Sequence, residues 1–123
     1  MKYIRTKDRI WDTSKLCKDN QNWYYLISND FYVFCENEII KQADTIEELC
    51  NEFVVAYEEG ERMVYCDLEW AKVKAKASLQ FGYKSIIYGA IWTNKGLIYV
   101  AKMNEEGNLE LLWTKNGKLY LMP

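Results

Sequence analysis

The chain has 123 residues, half of them apolar and 28% charged, which suits one folded domain spanning residues 1–123 and excludes a disordered chain. Its net charge of −2 comes from 16 basic and 18 acidic residues and gives no sign of a polyanion binder. It contains no histidine, so neither the commonest general base near neutral pH nor the commonest metal-binding nitrogen is present.

In chain order, "MKYIRT" and "RIWDTSKLC" are short and rich in β-formers, separated by Lys7 and Asp8, and read as two edge-type strands or a hairpin. The polar "KDNQ" marks a turn. "NWYYLIS" and "FYVFCEN" read as strands flanking "SND". In the second, Phe31, Val33 and Cys35 share one face and Tyr32, Phe34 and Glu36 the other. Aromatic residues on both faces predict either cover on two sides or an exposed binding patch.

Ile39 and Ile40 close an extended segment, and Thr45 followed three residues later by Glu48 has the capping-box pattern. The expectation is a helix from about Ile46, with Ile46, Leu49, Cys50, Phe53 and Val54 inward and Glu47, Glu48, Asn51 and Glu52 in water. At about ten residues it must dock on the sheet to be stable. "FVVAY" and "RMVYC" flank "EEGE", a hairpin whose Gly60 supplies a positive φ.

Asp67 reads as the N-cap of a helix over "LEWAKVKAKASLQF", with Trp70, Val73, Ala77 and Phe81 as its stripe. Residues 72–81 also alternate polar and apolar, the strand pattern, so both forms stay open there. "SIIYGAIWT", "LIYVAKMN", "NLELLW" and "KLYLMP" are joined by "NKG", "EEG" and "TKNG" and predict an antiparallel meander. The fold class is α+β: a mainly antiparallel sheet, with N-terminal hairpins and a C-terminal β-meander, carrying one or two packed helices.

Charge is unevenly distributed. Between Glu36 and Glu69 stand eleven acidic residues against Lys41 and Arg62, a net −9, and the remaining residues carry +7. Carboxylates arrayed on a helix and the following hairpin can imitate phosphates and occupy a basic groove on another protein. The candidate partner contacts are Glu47, Glu48, Glu52, Glu58, Glu59 and Glu61, with Tyr57 and Trp70 as aromatic anchors. A plain solvated surface is the competing reading of these acids.

Enzyme chemistry finds little support. Cysteine nucleophiles need a base, normally histidine, and adjacent glutamates such as Glu47–Glu48 or Glu58–Glu59 are more often a solvated face than a catalytic pair. The six glycines stand singly at turns, outside any phosphate-cradling pattern. Cys17, Cys35, Cys50 and Cys66 are the candidate ligands of an all-cysteine structural zinc site. Their gaps of 18, 15 and 16 residues lack the close pairs of a zinc knuckle, so four reduced, mostly buried thiols are the favoured reading, without a cofactor.

No apolar run approaches the roughly 20 residues that span a bilayer, and "MKYIRTKDRIWD" places charges where an export signal needs an apolar run. A cytoplasmic protein is expected. A different use of the N-terminus is nucleic-acid binding by its lysines and arginines together with Tyr3, Trp11, Trp23 and Tyr24, in the manner of a single-strand stacking platform.

Three stretches, "MKYIRTKD", "IIKQADTIEELCNEFV" and "IYGAIWTNKGLIYVAKMNEEGNLELL", resemble a family of small phage and prophage accessory proteins of Gram-positive bacteria. The resemblance covers about half of the chain. Residues 68–84 and "WTKNGKLYLMP" depart from the shorter family pattern. The resemblance implies a protein without enzymatic activity that acts in the infected cell by binding a host protein. A type II CRISPR nuclease, blocked by occlusion of its DNA channel, is the target this implies, with no membrane partner and no direct contact to nucleic acid.

Overall fold

A computed structural model describes residues 2–27, 30–115 and 117–123. Among them twelve strands and one α-helix form three antiparallel sheets. The N-terminal pair is a hairpin, β1 (Tyr3–Arg5) with β2 (Ile10–Asp12), and β6 (Lys41–Ala43) adds to its other side. Of the two readings of this stretch, edge-type strands or a hairpin, the hairpin is the one realised, with β1 at the centre of its sheet. "RIWDTSKLC" is not one strand, because Asp12 accepts from the Ser14 amide at 3.0 Å and starts a 3₁₀ turn. After that turn the chain enters a second sheet, β3 (Cys17–Asp19), β4 (Asn22–Ile27) and β5 (Asp30–Cys35), in that spatial order. The turn expected at "SND" lies largely outside the described residues.

The main sheet has six strands. They are β7 (Glu52–Tyr57), β8 (Arg62–Tyr65), β9 (Ser85–Thr93), β10 (Gly96–Met103), β11 (Leu109–Lys115) and β12 (Lys118–Leu121). Their order is β12-β11-β10-β9-β7-β8, so the expected C-terminal meander is extended by the β7–β8 hairpin, whose Gly60 has φ 104°. Between β8 and β9 the chain crosses back over β7 as α1 (Leu68–Leu79), which settles residues 68–79 as helix. Asp67 caps it by accepting from the Glu69 amide at 3.0 Å.

The helix expected from Ile46 does not form. Its local signal is real: the Thr45 hydroxyl oxygen accepts the Glu48 amide at 3.2 Å and donates to the Glu48 carboxylate at 2.9 Å. The result is a single 3₁₀ turn, Glu47–Leu49, after which Cys50 is extended and β7 begins. Phe53, Val54 and Val55 are all buried, and three consecutive buried residues, two of them β-branched, need cover on two faces. A strand between β8 and β9 pairs the backbone on both sides and sets Phe53 and Val55 under α1 with Val54 on the other face beside Val64 and Tyr88, whereas a helix with one docked stripe does not bury all three.

Pairing fixes which residues share a face. Phe53, Val55 and Tyr57 of β7 with Ile87, Gly89 and Ile91 of β9 point to the covered side of the main sheet. Over β7 and β9, α1 covers that side with Leu68 and Ala71, which pack with Phe53, Val55 and Ile87. Over β9, β10 and β11 the cover comes from Ile10, Ala43, Ile46 and Leu49, packed on Ile91, Val100, Ala101 and Leu111. Cys50 touches both clusters and lies at their seam. A third core joins Ile4 and Trp11 to Tyr25 and Phe34, docking the β3–β5 sheet on the N-terminal hairpin. No helix among the described residues is long and apolar enough to cross a membrane.

Candidate partner-binding surface

α1 presents its apolar stripe outward. The sequence places Trp70, Val73, Ala77 and Phe81 along one stripe, and in the structure Trp70 and Val73 are about half exposed and Phe81 is 80% exposed. The side that docks carries Leu68, Ala71, Ala75 and Ser78. Small residues win there because the alanine methyls let the helix backbone approach the sheet, which bulky side chains would hold away. The consequence is an aromatic and β-branched stripe left half or more exposed. Lys74 lies over the Trp70 ring, 5.2 Å from its centre, and holds the indole in place.

Beside the stripe runs a groove of about 450 Å³ between α1 and the free edge strand β8. Tyr57, Met63 and Tyr65 form its floor, Lys74 and Ser78 one wall, and Glu59, Glu61 and Tyr83 its open end. The Tyr57 hydroxyl is 2.8 Å from the Ser78 hydroxyl and ties the last turn of α1 to β7. Four candidate contacts therefore fall in one region: Tyr57, Glu59 and Glu61 in the groove, and Trp70 joined to it through Lys74. Glu58 is exposed on the same hairpin.

Glu47, Glu48 and Glu52 are elsewhere. The hairpin acids and the Glu47–Glu52 acids stand at opposite ends of β7, about 17 Å apart at the usual rise of a strand. Glu47 lines a separate cleft with Lys72 and Leu68 near the start of α1. The Glu48 carboxylate is engaged with Thr45, and Glu52 accepts from the Trp92 indole N–H at 3.5 Å on the open side of the main sheet. Lys72 lines the cleft with Glu47, and Lys74 the groove with Glu59 and Glu61. The six candidate glutamates thus fall into two groups, not the single array of carboxylates that imitation of a phosphate backbone requires.

A second uncovered patch lies on β4 and β5. Phe31 pairs with Leu26 and Val33 with Tyr24, so these four share a face, and Leu26 and Phe31 are about two-thirds exposed. The opposite face, with Tyr25 and Phe34, is core. Of the two readings of this doubly aromatic hairpin, the exposed patch is the one realised. The nucleic-acid platform expected at the N-terminus loses its centre, because Trp11 is buried, stacked at 5.2 Å on Phe34, and Trp23 is half-buried against the same ring.

The four cysteines do not meet. Cys17, Cys35 and Cys66 are exposed and only Cys50 is largely enclosed, against the expectation of mostly buried thiols. Among the described residues no three cysteine, aspartate or glutamate side chains gather as metal ligands. Burial pushes the Cys50 thiol up to about 12; Arg5 opposes the shift and Glu47 adds to it. A thiol held protonated in this way is neither a nucleophile nor a ready metal ligand. No signal in the local sequence marks the β8–α1 groove as a site, since its walls come from two elements joined only by the fold. No family model, curated protein or solved structure matches the chain.

Proposed function

We propose that this chain is a non-enzymatic binding protein that grips another protein through the outward stripe of α1 and the adjoining β8–α1 groove. The uncovered stripe Trp70–Val73–Ala77–Phe81 carries this reading: contiguous exposed apolar surface rimmed by charge is the mark of an interaction site, and tryptophan and tyrosine are the usual anchors of one. Glu59 and Glu61 at the mouth of the groove select a partner with a basic rim. Together with the resemblance to phage accessory proteins, this supports an inhibitor of a host defence nuclease of the type II CRISPR class, acting by occlusion. Such a nuclease holds its nucleic acids in a positively charged channel, which offers the basic rim the acids require. The bound segment need not imitate DNA: apolar anchors supply affinity and the two glutamates orientation.

The test is a DNA-cleavage assay with the purified nuclease and increasing amounts of the full chain. Inhibition near stoichiometry that is lost in Trp70→Gln/Phe81→Gln supports the reading. Undiminished cleavage at large excess contradicts the target, and inhibition equally strong in the double variant contradicts the surface.

A further inference from the structure

We infer that the partner held at the β8–α1 groove adds a β-strand of its own to the edge of β8; this rests on the reading of that groove as a binding surface. The hydrogen bonds show in which direction β8 is open. The Glu58 amide donates to the Lys84 carbonyl at 3.1 Å, so the even-numbered residues of β7 bond to β9. The Tyr57 amide donates to the Glu61 carbonyl at 2.9 Å, so the odd-numbered ones bond to β8. Glu61, Met63 and Tyr65 are thereby engaged, while the N–H and C=O groups of Arg62 and Val64 turn away from β7. On that side the sheet has no further strand among the described residues.

Open edges usually carry a device against pairing. β12, the other edge of the main sheet, starts at Lys118 and is closed by Pro123 two residues after its end. β8 has neither lysine nor proline and no break in its register with β7. Its one charged side chain is drawn off the edge, with the Arg62 guanidinium 5.6 Å from the centre of the Tyr99 ring on the open face of the sheet. A strand added at about 4.8 Å from β8 sets every second residue over Met63 and Tyr65, in the groove beside Lys74 and Tyr83, and the others beside the exposed Val64. Aliphatic side chains suit the groove positions, and Glu61 with Glu59 suits a lysine or arginine at the hairpin end. A second copy of the chain fits worse, because antiparallel pairing of two β8 strands sets Glu61 of each near Asp67 of the other, like charge against like. The occupant is an extended segment of a different protein, alternately aliphatic and polar, with basic residues at one end.

The experiment is an amide-resonance titration of the full chain with the acetylated and amidated peptide STVTITKK. Laid antiparallel to β8, its valine and isoleucine face the groove opposite Tyr65 and Met63, and its first lysine meets Glu61. No nuclease enters the experiment, so its outcome is separate from that of the cleavage assay. The expected result is saturable binding at about 1 mM or below, with slowed exchange of the Arg62 and Val64 amides. The second and third threonines lie opposite Val64 and Arg62 and turn their N–H groups to β8. Methylating those two nitrogens should weaken binding by about tenfold or more, and methylating the valine and isoleucine nitrogens should not. Val64→Pro removes an N–H that β7 does not use, so it should weaken binding by about tenfold while the resonances of β9 and β10 stay in place. The inference is overturned if the peptide does not bind at about 1 mM, or if the threonine-methylated peptide or STVTITEE binds as well as the parent. It is also overturned if sedimentation shows a dimer that Val64→Pro dissociates, since a second copy then occupies the edge.

Discussion

The sulfur of Cys50 occupies the space that a β-carbon on Gly89 would need: built in ideal geometry, that carbon falls 2.6 Å from Cys50 Sγ and 3.2 Å from the Ala101 β-carbon. Gly89 is at the middle of β9, where β7 and β10 pair on either side, so the backbone cannot move away. Gly89→Ala should therefore destabilise the fold by about 1–3 kcal/mol through overpacking. Cys50→Ala removes the clashing sulfur, so the double variant should recover part of that loss, giving a coupling energy of about 1 kcal/mol in a urea-unfolding cycle. Strict additivity of the two changes would show that the contact is not as close as described.

The same thiol makes the protein sensitive to alkali. Its folded value is raised from the usual 9 to about 12, so below pH 9 it is protonated in both the folded and the unfolded chain and has no effect on stability differences with pH. Between these values the unfolded chain ionises and the folded one does not, so stability falls as pH rises from 9 to 12. Burial raises Tyr25 as well, which acts in the same direction. Cys50→Ala should flatten this decline in urea-unfolding midpoints measured across that range. At pH 8, a thiol reagent should label Cys17, Cys35 and Cys66 quickly and Cys50 only after unfolding.

The anchoring of α1 rests on its two ends. Asp67→Ala removes the side-chain cap and should cost about 1 kcal/mol. Tyr57→Phe removes the hydroxyl contact with Ser78 and should cost about 0.5–1.5 kcal/mol. Because both act on the helix more than on the sheet, amide exchange should rise first in residues 68–79 and leave β9 and β10 unaffected. Uniformly faster exchange throughout the main sheet would show that helix and sheet open as one unit.

The outward stripe makes a sharper demand on stability. If Trp70 and Phe81 were core residues, replacing them would cost about 3 kcal/mol or more each. Exposed as they are, Trp70→Gln and Phe81→Gln should change the unfolding free energy by no more than about 0.5 kcal/mol. A large loss of stability in either variant would restore the inward stripe and remove the basis for a partner surface on α1.

Much of the fold was legible where local and long-range signals agree. The alternation of "SIIYGAIWT" and the glycine of "NKG", Gly96 at φ 98°, mark β9, β10 and their turn, and tertiary pairing asks for the same conformation. Asp67 marked the start of α1, but not its orientation. Ala71 and Ala75 weigh little in a hydrophobic pattern, yet they dock the helix because they are small, while the heavier stripe faces outward. At Thr45–Glu48 the local signal was genuine and lost after one turn to the two-sided pairing available to Phe53, Val54 and Val55. The site divides the same way. Tyr57, Glu59, Glu61 and Trp70 do converge, while Glu47, Glu48 and Glu52, neighbours in the chain, are carried off by the length of β7.

The most direct test of the α1 surface is hydrogen–deuterium exchange of the chain with and without a type II CRISPR nuclease, the proposed partner. A partner surface on α1 predicts slowed exchange over residues 59–65 and 69–83, with residues 22–35 and 44–52 unchanged. Protection confined to residues 44–52 or to the β4–β5 patch, with α1 unaffected, would contradict it.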